Sequence, residues 1–166
     1  MLPQRLLVED MPSTFSAAGV LFIDGVRVLA GFQPGKASIS GFGGSREGRE
    51  TIRQTAFREA LEELLEPEVI PASLLQSLVA RYKEYSVTRK GTYRFLTLTF
   101  EDLLQILHEA KAADLKSQLY KSIPTTIAAL INKRNPIPTS EVTTLMLIPR
   151  STTKGLDPYF LEDLAT

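Results

Sequence analysis

The stretch from Gly43 to Glu66, GGSREGRETIRQTAFREALEELLE, constrains the chain more than any other. A glycine-rich loop runs into a segment with helical spacing. Thr51 followed three residues later by Gln54 has the form of a capping box, in which each side chain satisfies a backbone N–H that the first turn leaves orphaned. A helix is therefore predicted to begin there, and Pro67 bars it from extending far. At about 100° of rotation per residue, Glu59, Glu62, Glu63 and Glu66 fall in one arc. Ile52, Ala56, Phe57, Ala60, Leu61 and Leu64 share much of the opposite side. One face is built for a core, the other for positive charge.

Carboxylates at i, i+3, i+4 and i+7 repel one another, and like-charge pairs at i,i+4 cost a helix about 0.2–0.5 kcal/mol each. An isolated run of Glu is most simply a solvated acidic face. A hard divalent cation offers a second explanation, because Mg²⁺ takes carboxylate and water oxygens and accepts substrate phosphates in its shell. The residues ahead of the helix favour the cation. Gly44, Glu50, Arg58, Glu59, Glu62 and Glu63 together resemble the Nudix box, Gly-x5-Glu-x7-Arg-Glu-U-x-Glu-Glu-x-Gly-U, where U is a bulky aliphatic residue and Ala60 is a small occupant of the first U. Leu65 and Glu66 depart from the pattern, standing where the family has Gly and an aliphatic residue, so the helix is expected to run on where relatives turn.

The resemblance implies a Mg²⁺-dependent hydrolase, with Mn²⁺ as a substitute cation, that cleaves the diphosphate linkage of a nucleoside diphosphate joined to another group. It implies an α/β fold, an α/β/α sandwich around a mixed β-sheet. Glu59, Glu62 and Glu63 would hold the cation, with one glutamate orienting water as the base; which one is left open. Arg58 would pair with Glu50 to lock the loop against the helix. An i,i+4 pair of Arg58 with Glu62 would instead compete with metal binding. The carbonyl of Gly44 would add a ligand, and Gly43 and Gly44 read as a tight turn needing unusual backbone angles. Glu141, in a loop before the last predicted strand, would complete the metal site. Glu101 and Asp102 are poorer candidates because they suit the cap of a helix.

At 166 residues the chain is expected to form one domain, residues 1–166, large enough to bury most of its apolar side chains. Lys and Arg number 19 against 19 Asp and Glu, which argues against a generally basic nucleic-acid binder. The absence of Cys excludes disulfides, thiolate catalysis and zinc–thiolate sites. No apolar run approaches the roughly 18 residues of a membrane span, and MLPQRLLVEDMP lacks the apolar stretch of a signal peptide. A cytoplasmic protein without a membrane partner is the default expectation.

Residues 1–12 read as an arm. STFSAAGVLFI is apolar enough for a strand buried on both faces; Asp24-Gly25 follows as a two-residue hairpin turn whose positions accept positive φ, and VRVLAGF returns. Ser38 to Phe42 reads as one short strand leading to the glycines. Beyond the helix, Pro67 and Pro71 bracket a linker, and SLLQSLVARYKEYSVT passes from a mixed pattern into alternation. Arg89-Lys90-Gly91 turns the chain into the alternating TYRFLTLTF, giving a second hairpin. Near it Arg81, Tyr82, Lys83, Tyr85, Arg89, Lys90 and Arg94 mix cations with aromatics. Arg81, Lys83, Tyr85 and Arg94 are accordingly the candidates for binding phosphates and a stacked base, the alternative being an ordinary solvent face.

Residues 101–135 depart from a minimal domain of this kind and read as a helical insertion. Asp102 to Ala112 and Asp114 to Ile123 have helical spacing, and Pro124 suits the first turn of a third helix to about Lys133. Such an insertion can set substrate access, build a homodimer contact, or decorate the surface. His108 within it reads as an ordinary surface residue. Asn135-Pro-Ile-Pro-Thr marks a loop, SEVTTLMLIP a strand and DPYFLEDLAT a short terminal helix.

A small nucleotide-type diphosphate is the first expectation for the substrate. Removal of mRNA caps and hydrolysis of diphosphoinositol polyphosphates are alternatives, and the balanced charge weakens a long RNA footprint. A different class of function, a Nudix-like module that binds without turnover, is motivated by Leu65 and Glu66, although every metal carboxylate is retained. The remaining alternative, an interaction protein whose acidic helix docks on a basic partner, requires the spacing from Gly44 to Glu63 to be accidental.

Overall fold

The structure is a computed structural model that describes residues 15–165. The arm predicted for residues 1–12 and the start of the first apolar run, Ser13 and Thr14, lie outside the described residues. Among the described residues there are seven strands: β1 (Ala17–Phe22), β2 (Arg27–Gln33), β3 (Ser38–Ser40), β4 (Phe42–Ser45), β5 (Val87–Lys90), β6 (Tyr93–Leu98) and β7 (Thr144–Pro149). Five helices accompany them among the described residues: α1 (Ile52–Leu65), α2 (Ala72–Arg81), α3 (Phe100–Ala112), α4 (Ile127–Asn132) and α5 (Pro158–Leu164).

The fold is mixed α/β. One sheet has the order β4-β1-β6-β5 and is itself mixed, since β1 runs parallel to β6 and antiparallel to β4. The other, β3-β2-β7, is antiparallel. Period-two alternation sends each strand's side chains to two sides. Ala18, Val20, Phe22, Leu29, Leu96, Leu98 and Leu145 join the main core with α1 to α4, whereas Leu21, Val28, Ala30 and Phe95 meet Phe160 and Leu164 of α5. β1 is thus buried on both faces, as its unbroken apolar run requires.

The turn after β1 forms at the expected place by other means. Neither Asp24 nor Gly25 has a positive φ. The Asp24 carboxylate instead accepts hydrogen bonds from the N–H groups of Val26 (2.8 Å) and Arg27 (2.6 Å). A single bridge, Ile23 to Val28, joins the two arms before they part into different sheets. The predicted strand from Ser38 to Phe42 is likewise two strands, broken at Gly41 where the chain crosses from one sheet to the other. A Cβ at Gly41 would stand 3.0 Å from the Phe160 ring, so a larger residue at the crossing would press the ring back by a few tenths of an ångström.

Helix α1 begins with the Thr51–Gln54 capping box, both reciprocal bonds present. It does not run on: it stops at Leu65, and Glu66 takes a left-handed conformation at φ 42°. Burial extends almost all round it, including Arg53, Thr55, Arg58 and Glu63. Arg53 donates to the carbonyls of Tyr82 (3.1 Å) and Tyr85 (2.6 Å), tying α1 to the end of α2.

Helix α2 was hidden in what reads as a mixed pattern, although Leu74 and Leu78 carry its buried face at i,i+4. The second hairpin turns at Gly91, whose φ is 58°, one step later than Arg89-Lys90-Gly91 suggests. In the insertion, α3 has its own capping box from Thr99 and Asp102. Asp114 to Ile123 is not helical. Asp114 turns left-handed at φ 58°, and the chain is drawn into a bridge between Ser117 and Pro67, with Gln118 N–H donating to Glu66 C=O (2.9 Å). Tertiary bonds outweigh local helical preference here. The third helix is shorter than predicted, capped by Thr126 rather than opened by Pro124. Among the described residues no helix is long and apolar enough to cross a membrane.

Candidate functional site

Arg58 is the centre of the acidic ridge on α1 and is almost fully buried. Its Nε and Nη2 form a fork on the two oxygens of Glu50 at 2.6 and 3.0 Å, and Nη2 also donates to Ser45 C=O at 2.8 Å. Burial opposes the charge of Glu50, yet Arg58, the Glu47 N–H and Thr55 together hold its carboxyl below the ordinary range. The loop is therefore locked to the helix in the manner the resemblance implies. The competing pair forms as well: Nη1 donates to Glu59 (2.9 Å) and Glu62 (3.2 Å).

The two glycines lie in β4 and have extended backbones, not the strained turn expected of them. What they provide is closeness. A Cβ on Gly44 would stand 2.4 Å from the carboxyl carbon of Glu59, and one on Gly43 would stand 2.6 Å from the Tyr93 hydroxyl. The strand register also decides which glycine turns its N–H to the helix. Arg46 N–H donates to Ser16 C=O, and pairs in an antiparallel ladder alternate, so Gly44, opposite Ala18, spends its polar groups on β1. Gly43 turns outward, and its N–H donates to Glu63 at 2.7 Å. Gly43, opposite Gly19, is thus the glycine whose polar groups lie off the β1 ladder and whose N–H meets the ridge.

Glu63 is buried, with Gln33 Nε2 3.4 Å from its other oxygen. Burial pushes its carboxyl up to about 8; the Gly43 N–H and Lys36 oppose this, while the charges of Glu141 and Glu59 add to it. Glu59 is raised as well, by burial first and then by Glu62 and Glu141, against the pull of Arg58. Glu141 therefore stands within electrostatic reach of both Glu59 and Glu63, although it comes from the loop before β7. Glu62 is more open, and Glu66 leaves the helix as its C-cap.

Among the described residues no three Asp, Glu, His or Cys side chains are grouped so as to enclose a metal ion. The reason is visible in the bonding: Arg58 holds Glu59 and Glu62, and Gly43 holds Glu63. The donor chemistry nevertheless fits a hard cation, since every nearby ligand atom is an oxygen. Release of at least one of the Glu59 and Glu62 carboxylates from Arg58 is the change that cation binding would require.

A cleft of about 630 Å³ opens beside the glycines, between β4, the turn after β5 and α5. Lys36, Lys90 and Tyr93 line it together with Asp157, Tyr159 and Asp163. Lys90 Nζ bonds to the Asp163 carboxylate and to Tyr159 C=O (2.7 Å), latching α5 over the cleft. Tyr93 connects the two halves of the site: burial raises its hydroxyl above the ordinary range, and Asp163, Glu63 and Glu59 raise it further, so it stays neutral.

Arg81, Lys83, Tyr85 and Arg94, the substrate candidates read from the sequence, are not brought to this cleft. Arg81 pairs with Glu109 of α3 at 2.9 Å, Lys83 and Tyr85 are exposed beyond α2, and Arg94 is buried with Nη1 on the carbonyls of Gly91 and Tyr93. Of the cations and aromatics of the hairpin, Lys90 and Tyr93 line the cleft. Lys36, Tyr93 and the α5 residues had no motif to announce them; the small residues at 41, 43 and 44, which permit close approach, were the one available signal. Glu101 and His108 are exposed on α3, and Asp102 is spent on its cap. No family model matches the chain, and no curated protein matches it.

Proposed function

We propose that the protein is a Mg²⁺-dependent hydrolase with a Nudix-like α/β/α sandwich fold, cleaving the diphosphate linkage of a small nucleotide-type substrate. The observation that carries this reading is the placement of Glu59 against Gly44 and of Glu63 on the Gly43 N–H, the two glycines that line the cleft, with the charge of the exposed Glu141 acting on both acids from a distant segment. Ionising the buried Glu63 and the part-buried Glu59 beside the exposed Glu141 is unfavourable without a counter-charge, and Arg58 is already committed in part to Glu50. Glu59, Glu63, Glu141 and the Gly43 carbonyl would hold the cation, with Glu62 beside them. The cation supplies the positive charge that offsets repulsion between a diphosphate and an attacking water, and it activates that water. Glu59 or Glu62 orients the water, Lys36 offsets phosphate charge, and the neutral Tyr93 hydroxyl donates to a substrate oxygen.

The character of the cleft supports a nucleoside over a polyphosphate beyond the scissile bond. Its lining carries Lys36 and Lys90 against Asp157, Glu162 and Asp163, and Lys90 is already paired. A diphosphoinositol polyphosphate would meet net repulsion there, whereas the exposed Tyr159 ring suits a planar base. Capped RNA ranks second, because its cap satisfies the same chemistry. The bonds from Arg58 to Glu59 and Glu62 favour one other reading, a module that binds such ligands without turnover.

Incubation with a panel of nucleoside-diphosphate compounds, with and without Mg²⁺, separates the two. Hydrolysis that needs Mg²⁺ and falls by about 100-fold or more in Glu63→Gln supports the enzyme. Tight binding of a panel member that is never cleaved, under any divalent cation, supports the binding module.

A further inference from the structure

We propose that Arg134 is a positioning residue that sets Glu63 against Glu141 by bonding to the backbone beside both. The proposal rests on the reading of the ridge as a divalent-cation site.

The last carbonyls of a helix have no partner within it. In α1 the insertion supplies them. Arg134 Nη2 donates to Glu63 C=O at 2.7 Å and Nη1 to Leu64 C=O at 2.6 Å, and the Ser117 hydroxyl donates to Leu65 C=O. A fixed cation at this end also complements the helix dipole. The same Nη2 donates to Val142 C=O at 3.0 Å, and Val142 directly follows Glu141. One guanidinium therefore spans the two chain segments that bring Glu63 and Glu141 together. Tyr120 holds the guanidinium in turn: its hydroxyl accepts from Nη1 at 3.1 Å, and its ring lies 5.9 Å from the guanidinium carbon.

This arrangement gives a common cause to two features that look unrelated in the sequence. Leu65 and Glu66 remove the glycine exit expected of the motif, and the 101–135 segment adds residues that such a motif does not need. In the structure the added residues grip the exit. Glu66 C=O accepts from Gln118 N–H, and Glu68 N–H donates to Lys116 C=O at 3.0 Å. Only the planar fork of Arg reaches several carbonyls at once in fixed geometry; a Lys retains the charge and loses the fork.

The test is Mn²⁺ affinity, read from the electron paramagnetic resonance signal of the free ion, in the full chain and in Arg134→Lys, Arg134→Gln, Glu63→Gln and Leu130→Ala. Leu130 is fully buried on α4 in the same insertion; its carbonyl accepts from the Tyr120 hydroxyl, and truncating its side chain removes packing while keeping that carbonyl and the guanidinium fork. Arg134→Lys and Arg134→Gln are expected to weaken Mn²⁺ binding by about 10-fold or more, the range for residues that orient metal ligands. Leu130→Ala is expected to lower the melting temperature at least as far as Arg134→Lys does while keeping Mn²⁺ affinity within about twofold of the parent. Unchanged affinity in both Arg134 variants overturns the proposal, as does an equal loss of affinity in Leu130→Ala. A parent chain that binds no Mn²⁺, or binds it equally well with Glu63→Gln, overturns the cation reading itself.

Discussion

The ridge on α1 and the cleft under α5 meet at Gly43 and Gly44, yet they are held by different means. The ridge is knit by one buried guanidinium to acids a single turn or loop away, and the capping box fixes where its helix starts. The cleft has walls drawn from β4, the β5–β6 turn and the far C-terminal segment, and its cover is a seven-residue helix. The Lys90 ammonium latches that cover. Under the proposed function the difference would separate two tasks. Cation chemistry would need ligands placed within fractions of an ångström, which short local connections achieve, whereas the group beyond the diphosphate would be gripped by elements free to differ between related chains.

The largest effect is expected on the ridge. Gly44→Ala places a methyl group where the Glu59 carboxyl now lies, 2.4 Å away. Overpacking of this kind costs about 1–3 kcal/mol of stability. Displacing Glu59 is expected to lower kcat by roughly 100-fold, and steady-state kinetics on the best substrate of the panel checks it. Full activity in a folded Gly44→Ala would show that Glu59 has no part in the chemistry.

Next in size is a pH effect on stability in the absence of divalent cations. The Glu63 carboxyl is raised from 4.5 to about 8, so between these values the folded chain keeps a proton that the unfolded chain has lost. Its stabilising contribution is complete below about pH 4.5 and is lost as pH rises through about 8, with a slope of at most about 1.4 kcal/mol per pH unit. Melting temperatures from pH 5 to 8.5 in a chelator are expected to fall, and Glu63→Gln to flatten that fall. Mg²⁺ at pH 8 is expected to restore stability in the parent chain alone. A slope identical in Glu63→Gln would mean that another group titrates.

Smaller effects belong to the cleft. Lys90→Met leaves the half-buried Asp163 without its cation and loosens α5, at a cost of up to about 3 kcal/mol. KM is expected to rise roughly tenfold with kcat little changed, since uniform binding is what the latch supports. A fall in kcat at constant KM would place Lys90 in the chemistry and blur the division between ridge and cleft. Smallest of all, Lys83→Ala is expected to leave both kinetic constants within about twofold and stability within about 0.5 kcal/mol, because Lys83 is exposed and away from the cleft.

The same division explains what could be read in advance. Thr51, Gln54, Glu50, Arg58 and the glutamates of α1 were legible because their partners lie within one loop and one helix. Strands β1 and β2 were legible as apolar runs on either side of a turn signal, and β6 because apolar alternation has a fixed period. The turn at Asp24 was placed correctly and explained wrongly, since a side-chain carboxylate does there what positive φ was expected to do. The segment Asp114–Ile123 misled because its local pattern lost to bonds with Glu66 and Pro67, which no local window contains. In the cation-rich hairpin the partners were hidden for a related reason: Arg81 pairs with Glu109 of α3, and Arg94 bonds to backbone carbonyls. Which glycine turns its N–H to Glu63 depends on strand register, and register is fixed by pairing with β1 rather than by spacing from the helix.

The most direct test of the central claim is anomalous diffraction from crystals soaked in Mn²⁺. The expected peak lies among the carboxylates of Glu59 and Glu63 and the Gly43 carbonyl oxygen, with Arg58 Nη1 released from Glu62 and its fork on Glu50 intact. A ridge without a peak at saturating Mn²⁺, in which Arg58 still bonds to both Glu59 and Glu62, would contradict it.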